Sequence, residues 1–137
     1  MTDDRDPIDR FLDSPAFGVA GASTRRHKFG NKVLRCYLQD GRRAIPINPR
    51  ETIIEGVACV RSVADLPPDV QSLSVITPPS VTERVVEEAI RTGVRNIWMQ
   101  PGAESERAIV ACQRAGLNVI ADGSCVLVVL GFRERRE

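Results

Sequence analysis

The stretch FGVAGASTRRHKFGNKVLRCYLQ, residues 17–39, decides the fold. Phe17-Gly18-Val19-Ala20 is a short apolar run of strand length. Gly21-Ala22-Ser23 ends it, and a polar loop leads on through Lys28. From Asn31 to Gln39, Val33, Leu34, Tyr37 and Leu38 share one helical face, and Gly41 is the stop signal. Ala44-Ile45-Pro46-Ile47 is a second strand. Strand, helix, strand in this order joins parallel strands by a crossover. Pro46 has no amide to give to a ladder, so the strand is expected to end there or to turn that position to an open edge.

The alternation continues on both sides. Asp6 to Leu12 is a short helix with Asp6 as cap and Pro7 in the first turn. Val57-Ala58-Cys59 is a short strand, and Ser62 to Leu66 a helical turn before Pro67-Pro68. Leu73 to Ile76 is the third main strand. Ser80 to Arg91 is a helix with Val81, Val85, Val86, Ala89 and Ile90 inward and Gly93 as its stop. Asn96 to Met99 is a strand, with Trp98 and Met99 in the core. Ser105 to Ala115 is a helix, Ser105 its cap and Gly116 its stop. Asn118 to Ala121 is the fifth strand. The tail is apolar from Cys125 to Leu130 and charged from Arg133 to Glu137. An α/β architecture with a doubly wound parallel sheet of about five strands follows.

The 137 residues suffice for one domain. Apolar residues make up 42% and charged residues 27%, a globular balance that excludes long-range disorder. Nineteen basic residues against eighteen acidic ones leave a net charge of +1, so no bulk attraction to nucleic acid or anionic membrane is expected. Only two of the basic residues are lysines, Lys28 and Lys32. Four cysteines without C-x-x-C spacing and a single His, His27, assemble no zinc constellation. The acidic start Met1-Thr2-Asp3-Asp4 is unlike a signal peptide, and the longest apolar run is far too short for a bilayer. A cytoplasmic protein with reduced thiols is the expectation.

Ligands of open parallel sheets bind beyond the carboxyl ends of the strands, which selects four loops. Small residues at Gly21, Ala22 and Ser23 let backbone amides approach an anion, and the next helix points its positive end there. Arg25, Arg26, Lys28 and Lys32 lie in or beside this loop. The pattern matches neither G-x-G-x-x-G nor the P-loop, and a solvated basic loop is the plain alternative. After the second strand stand Asn48, Pro49 and Arg50. NAD sites usually place an acid here, so Asn48 argues against NAD, while Arg50 suits the ribose phosphate of NADP or coenzyme A. Thr77-Pro78-Pro79-Ser80 offers a rigid wall for a base, or else a helix start with Thr77 or Ser80 as cap. Gln100-Pro101-Gly102 allows close backbone approach, or is a simple turn.

Nucleophilic catalysis has little to draw on. No Ser-His-Asp or Cys-His arrangement can be built around His27. Asp122 and Glu104 are the candidate acids at the strand ends, and neither has an evident partner. Cys125 is a reactive thiol at a strand end or a buried structural one.

Taken together, these loops resemble the CoA-binding domain family, which includes stand-alone bacterial proteins and the amino-terminal domain of the succinyl-CoA synthetase alpha subunit. The resemblance rests on Val19 to Ser23, Lys28 to Val33, Pro46 to Pro49, Ser62 to Pro67, Val75 to Pro79, Glu87 to Ile90 and Asn96 to Ala103, over about residues 10 to 130. It implies a Rossmann-like three-layer sandwich with a central parallel sheet of about five strands. It implies that Gly21, Ala22, Ser23, Arg25, Lys28, Gly30 and Lys32 hold the coenzyme's phosphates. Asn48, Pro49, Arg50, Thr77, Pro78 and Pro79 would line the nucleotide, with Gln100 and Gly102 near the pantetheine arm.

Relatives often carry Asp-Arg-Cys where this chain has Asp122-Gly123-Ser124-Cys125. The motifs are those of the CoA-binding part alone. The expected function is non-catalytic binding of coenzyme A or an acyl-CoA, with no metal, no nucleic acid and no membrane, and with a protein partner or a second copy as associates. The rival expectations are an NAD(P)-binding redox or sensor protein, and an interaction subunit whose partner supplies catalysis.

Overall fold

Every residue of Ala16–Ala20 (β1) is buried, as in a strand covered on both faces. A computed structural model describes residues 3–134; the expectations for Met1, Thr2 and Arg135 to Glu137 lie outside the described residues. Pro7–Leu12 (α1) precedes β1, and Asp6 caps it by accepting from the Ile8 amide at 2.8 Å. Phe29–Gln39 (α2) crosses to Ala44–Ile47 (β2), and a two-stranded hairpin follows, Ile53–Ile54 (β3) with Val57–Ala58 (β4). A 3-10 turn at Val63–Asp65 leads into Val70–Val75 (β5), then Pro79–Thr92 (α3) and Asn96–Met99 (β6). Glu106–Arg114 (α4), Asn118–Ile120 (β7) and Val126–Val129 (α5) complete the order.

The main sheet has five strands in the order β2-β1-β5-β6-β7, and every pair is parallel. Alternation along the strands builds two cores. Leu73, Val75, Ile97 and Met99 face α3 and α4, together with Val86, Ala89, Ala108 and Cys112. Phe17, Val19 and Trp98 face the other way, onto Phe11 of α1, Leu34 and Tyr37 of α2 and Val126 of α5. Helices therefore cover both faces, giving the Rossmann-like three-layer α/β sandwich.

Pro46 lies on the outermost strand, as its missing donor requires. Its carbonyl accepts from Val60 N at 3.0 Å, on the side away from β1. The amide and carbonyl of one strand residue face the same side, so the absent N–H also lies on the outer edge. Val60 in turn accepts from Asn48 N at 2.9 Å.

Several expectations are adjusted. Helix α2 begins at Phe29, not Asn31, because Lys28 holds the extended cap conformation and Gly30 is already helical. The cap of α3 is Pro78 rather than Thr77 or Ser80; the Thr77 hydroxyl is engaged with that of Thr82 at 2.8 Å. Ser105 does cap α4, accepting from Ala108 N. Val57 and Ala58 pair outside the main sheet, with the strand β3 that sequence patterning had not marked. The apolar run from Cys125 is a short helix whose Val126 is buried, while Val128 is 80% exposed.

Candidate functional site

Chain order and strand order part company at β1 and β5. From β1 the chain moves out to β2 and returns to β5 on β1's other side, so the two crossovers leave in opposite directions. Such a switch point opens a crevice beyond the strand ends. Here it is a cleft of about 340 Å³. Ala20, Gly21 and Ala22 from β1, Ile47, Asn48 and Pro49 from β2, and Thr77 after β5 form its base. Arg61, Ser62 and Val63 form one flank, and Val81, Arg84, Val85 and Glu88 of α3 the other.

Two glycines give this end of the sheet its shape. Gly21 has φ +94°, and a Cβ there would overlap the Ile76 carbonyl. A Cβ on Gly30 would overlap the carbonyl of Gly21 itself. The first turn of α2 thus rests directly on the turn that ends β1. Ile76 N donates to Ala20 O at 2.8 Å and extends the β1–β5 pairing to the cleft mouth.

Asn48 pins the second loop to the first. Its Nδ2 donates to Ala22 O at 3.0 Å, and its Oδ1 accepts from the amides of Arg50 and Glu51 at 2.8 and 2.9 Å. An acid in this place could accept the same two amides but could not donate to Ala22. Asn48→Asp should therefore destabilise the protein by about 1–3 kcal/mol, the cost of opposing a carboxylate to a carbonyl. Urea unfolding measures it, and an unchanged midpoint would remove Asn48 as the link between the loops.

The basic loop is braced from beneath. Asn31, fully buried, donates to Ser23 O at 2.8 Å and to Glu55 Oε2 at 3.1 Å. Its Oδ1 accepts from Arg35 Nε at 2.6 Å. Arg35, only 5% exposed, also donates to Arg26 O at 2.6 Å and to Glu134 Oε1 at 2.7 Å. Two acids temper the loop's charge: Glu55, in the hairpin turn, lies 3.6 Å from Arg26, and Glu134 4.0 Å from Lys32. Sequence patterning gave no sign of either, since both reach the loop from distant positions.

Of the expected site residues, Gly21, Ala22, Asn48, Pro49 and Thr77 line the cleft. Ser23 lies beside it, its hydroxyl accepting from Arg25 N at 3.1 Å. Arg25 and Lys28 are exposed on the basic loop, and Arg50 is exposed just past Pro49. Lys32 sits against Glu134, and Gly30 is buried beneath Gly21. Pro78 and Pro79 start α3 and lie outside the cleft wall, whose apolar face is made by Val63, Val81 and Val85 instead. Val81 and Val85, expected in the core, are only half-buried for that reason.

The structure does not bring Gln100 and Gly102 into the cleft wall. Gln100 is fully buried at the end of β6, where its Oε1 accepts from Val126 N at 3.0 Å and holds α5 in place. Gly102, at φ +96°, takes a turn capped by Glu104, which accepts from its amide at 2.7 Å. The arginines and valines on the flanks were missed. Their signal is the 81, 84, 85, 88 spacing, one face of α3.

Asp122 and two of the four thiols are engaged or deeply buried, while Cys59 and Cys125 are half-buried. Asp122 accepts from Ser124 Oγ and N at 2.6 and 3.0 Å, which holds its carboxyl below the ordinary carboxylate range. Burial pushes the Cys36 thiol up to about 12 and that of Cys112 up to about 11, so neither is a thiolate near neutral pH. Among the described residues no group of three His, Cys, Asp or Glu is placed to hold a metal, and no helix is long and apolar enough to cross a membrane.

Residues 16–130 match the family model described as CoA binding domain. The chain belongs to this family. The CoA binding domain is 30% identical over 77 residues to the acetate–CoA ligase (ADP-forming) of Methanocaldococcus jannaschii, a match covering 56% of the chain and 11% of that protein. It thus spans a small fraction of this curated relative. Among solved structures, a conserved hypothetical protein from Pyrococcus furiosus is 38% identical, with TM-score 0.80, over 83% of this chain and 97% of that one. The dinucleotide-forming acetyl-coenzyme A synthetase 1 of Ca. Korarchaeum cryptofilum, in complex with phosphate and ADP, is 25% identical with TM-score 0.75, over 85% of this chain and 27% of that one. The CoA binding domain is therefore related both to a small protein and to part of a larger ligase.

Proposed function

We propose that this domain binds coenzyme A, free or acylated, at the cleft beyond β1, β2 and β5, and that its own residues perform no chemistry on it. The observation that carries this is the cleft itself. It lies at the topological switch point, with the glycine turn at its base and Val63, Val81 and Val85 along its flanks, an arrangement that suits a phosphate and a base. Gly21, Ala22 and Ser23, with Arg25, Lys28 and Lys32 around them, would take the phosphates. Asn48, Pro49 and Arg50 would border the nucleotide on one side and Thr77 on the other, with Pro78 and Pro79 behind it. Gly30 would serve by seating the turn, and Gln100 and Gly102 by shaping the strand ends where the pantetheine arm leaves.

The family's ligase members favour a protein partner as the source of any catalysis, and a second copy of the chain is the other expected associate. A cytoplasmic setting accords with the free thiols of all four cysteines. Calorimetric titration of the purified protein with CoA, NADPH and NADH tests the proposal. CoA should bind with one site per chain, and more tightly than either nicotinamide nucleotide. Clear NADPH binding with no CoA binding at millimolar ligand would overturn it.

A further inference from the structure

Residues 131–134 fold back onto α2. Gly131, at φ +69°, turns the chain after α5, and Phe132 N donates to Leu127 O at 2.8 Å. The backbone of Arg133 then pairs with the carboxamide of Gln39 in the last turn of α2. Gln39 Nε2 donates to Arg133 O at 2.8 Å, and Arg133 N donates to Gln39 Oε1 at 3.2 Å. The Phe132 ring packs on the Arg35 guanidinium, with 5.3 Å from Cζ to the ring centroid. These contacts hold the segment as a strap along the helix.

The strap delivers a carboxylate to the start of α2. Glu134 Oε1 accepts from Arg35 at 2.7 Å, and Oε2 lies 4.0 Å from Lys32 Nζ. The bond from Arg35 holds the Glu134 carboxyl below the ordinary carboxylate range, so it is charged at neutral pH. Its two cations are not alike. Arg35 is buried, and Asn31 Oδ1 and Arg26 O accept from it as well, so its contact with Glu134 belongs to a fixed network. Lys32 and Glu134 form a longer pair, 36% and 54% exposed, of the kind that contributes little and exchanges readily. Glu55 reaches the same loop from the β3–β4 hairpin and is held by Asn31 at 3.1 Å as well as lying 3.6 Å from Arg26.

We propose that residues 131–134 are an autoinhibitory strap: the Glu134 carboxylate occupies the cationic start of α2, and an anionic ligand binds by displacing it from Lys32. This rests on the reading of the glycine turn and its basic loop as a phosphate site. Two anions that share one ammonium repel each other, so the strap and a phosphate compete for Lys32. Glu55 stays in place through Asn31, and the strap is the movable counter-charge.

Calorimetric titration of the wild type, Glu134→Gln and Gln39→Ala with CoA tests the proposal, together with amide hydrogen exchange of the wild type. Glu134→Gln keeps an acceptor for Arg35 but has no charge to oppose a phosphate. It should bind CoA about three- to tenfold more tightly at low salt, the scale of one unit charge at contact distance in water. The gain should shrink to about twofold or less at 1 M salt, where charges are screened beyond about 3 Å. Gln39→Ala unfastens the strap with Glu134 intact, and should gain about twofold or more. In the wild type, bound CoA should speed exchange of the Arg133 amide, which Gln39 holds in the free protein.

CoA affinity in Glu134→Gln equal to or below that of the wild type overturns the strap and leaves the cleft reading intact. An Arg133 amide whose exchange is unchanged by bound CoA does the same. CoA binding by none of the three proteins overturns both. Should Glu134→Gln melt far below the wild type for want of a charged partner to Arg35, Gln39→Ala and the exchange measurement decide, and no gain in Gln39→Ala overturns the strap.

Discussion

Gly30→Ala should cost about 3 kcal/mol or more, and with it the nucleotide affinity of the cleft. The added methyl overlaps a backbone carbonyl, that of Gly21, which cannot rotate aside as a side chain could. Relief requires the first turn of α2 to lift off the end of β1. That movement would pull on Asn31, whose amide holds Ser23 O, and the turn we propose for phosphate would lose its shape. Gly41→Ala is the control. Gly41 has φ +74° but nothing within 4 Å of a new Cβ, so it should lose only about 1–2 kcal/mol, the conformational cost alone. Urea melts of both variants give the comparison. Equal losses would mean that α2 does not need to rest on the β1 turn.

Trp98→Ala should be of similar size, about 3–5 kcal/mol for emptying a large core site. Trp98 is fully buried on β6, with its ring edge-on to Phe11 at 5.3 Å. Its Nε1 also donates to Ser124 O at 3.1 Å, so the residue anchors the loop from Asp122 to Cys125 as well as filling the core. Trp98→Phe separates the two roles: it keeps most of the packing and strands the Ser124 carbonyl, for roughly 1–2 kcal/mol plus the smaller void. Trp98 is the only tryptophan, so circular dichroism rather than fluorescence must follow the unfolding. A loss under about 1 kcal/mol for Trp98→Ala would mean the core closes over the gap.

The sheet was legible in the sequence because its signals are local. Short apolar runs, helical spacing and stops at Gly41, Gly93 and Gly116 each act within one element, and caps at Asp6 and Ser105 act within one turn. Pro46 was legible for the same reason, since a missing donor constrains its own strand. Half of the cleft was legible through the rule that sites follow strand ends, which selected Gly21, Asn48 and Thr77.

The flanks were not. Arg61 and Arg84 come from a loop and a helix that meet only in the folded chain, where Glu88 accepts from the Ala64 amide, and no spacing rule links them. Glu55 and Glu134 reach the basic loop from positions 24 and 99 residues away from their partners Asn31 and Arg35. Val81 and Val85 share their periodicity with Val86 and Ala89. Hydrophobic spacing does not reveal whether a face meets a core or the wall of a crevice. The Pro78-Pro79 pair reads in the sequence as either a wall or a helix start, since proline serves both uses, and in the fold the pair begins α3 outside the cleft lining.

The outer edge of β2 bears on how copies of this domain can meet. A strand from another molecule seeks a row of alternating donors and acceptors to continue a sheet. At Pro46 there is no donor to find, and the carbonyl beside it and the amide two residues on are both taken by Val60. Growth of the sheet by strand addition is closed on that side, which protects the chain from edge-to-edge aggregation. Association through β2 would first have to peel away Val60, and with it the segment that carries Arg61 to the rim of the cleft.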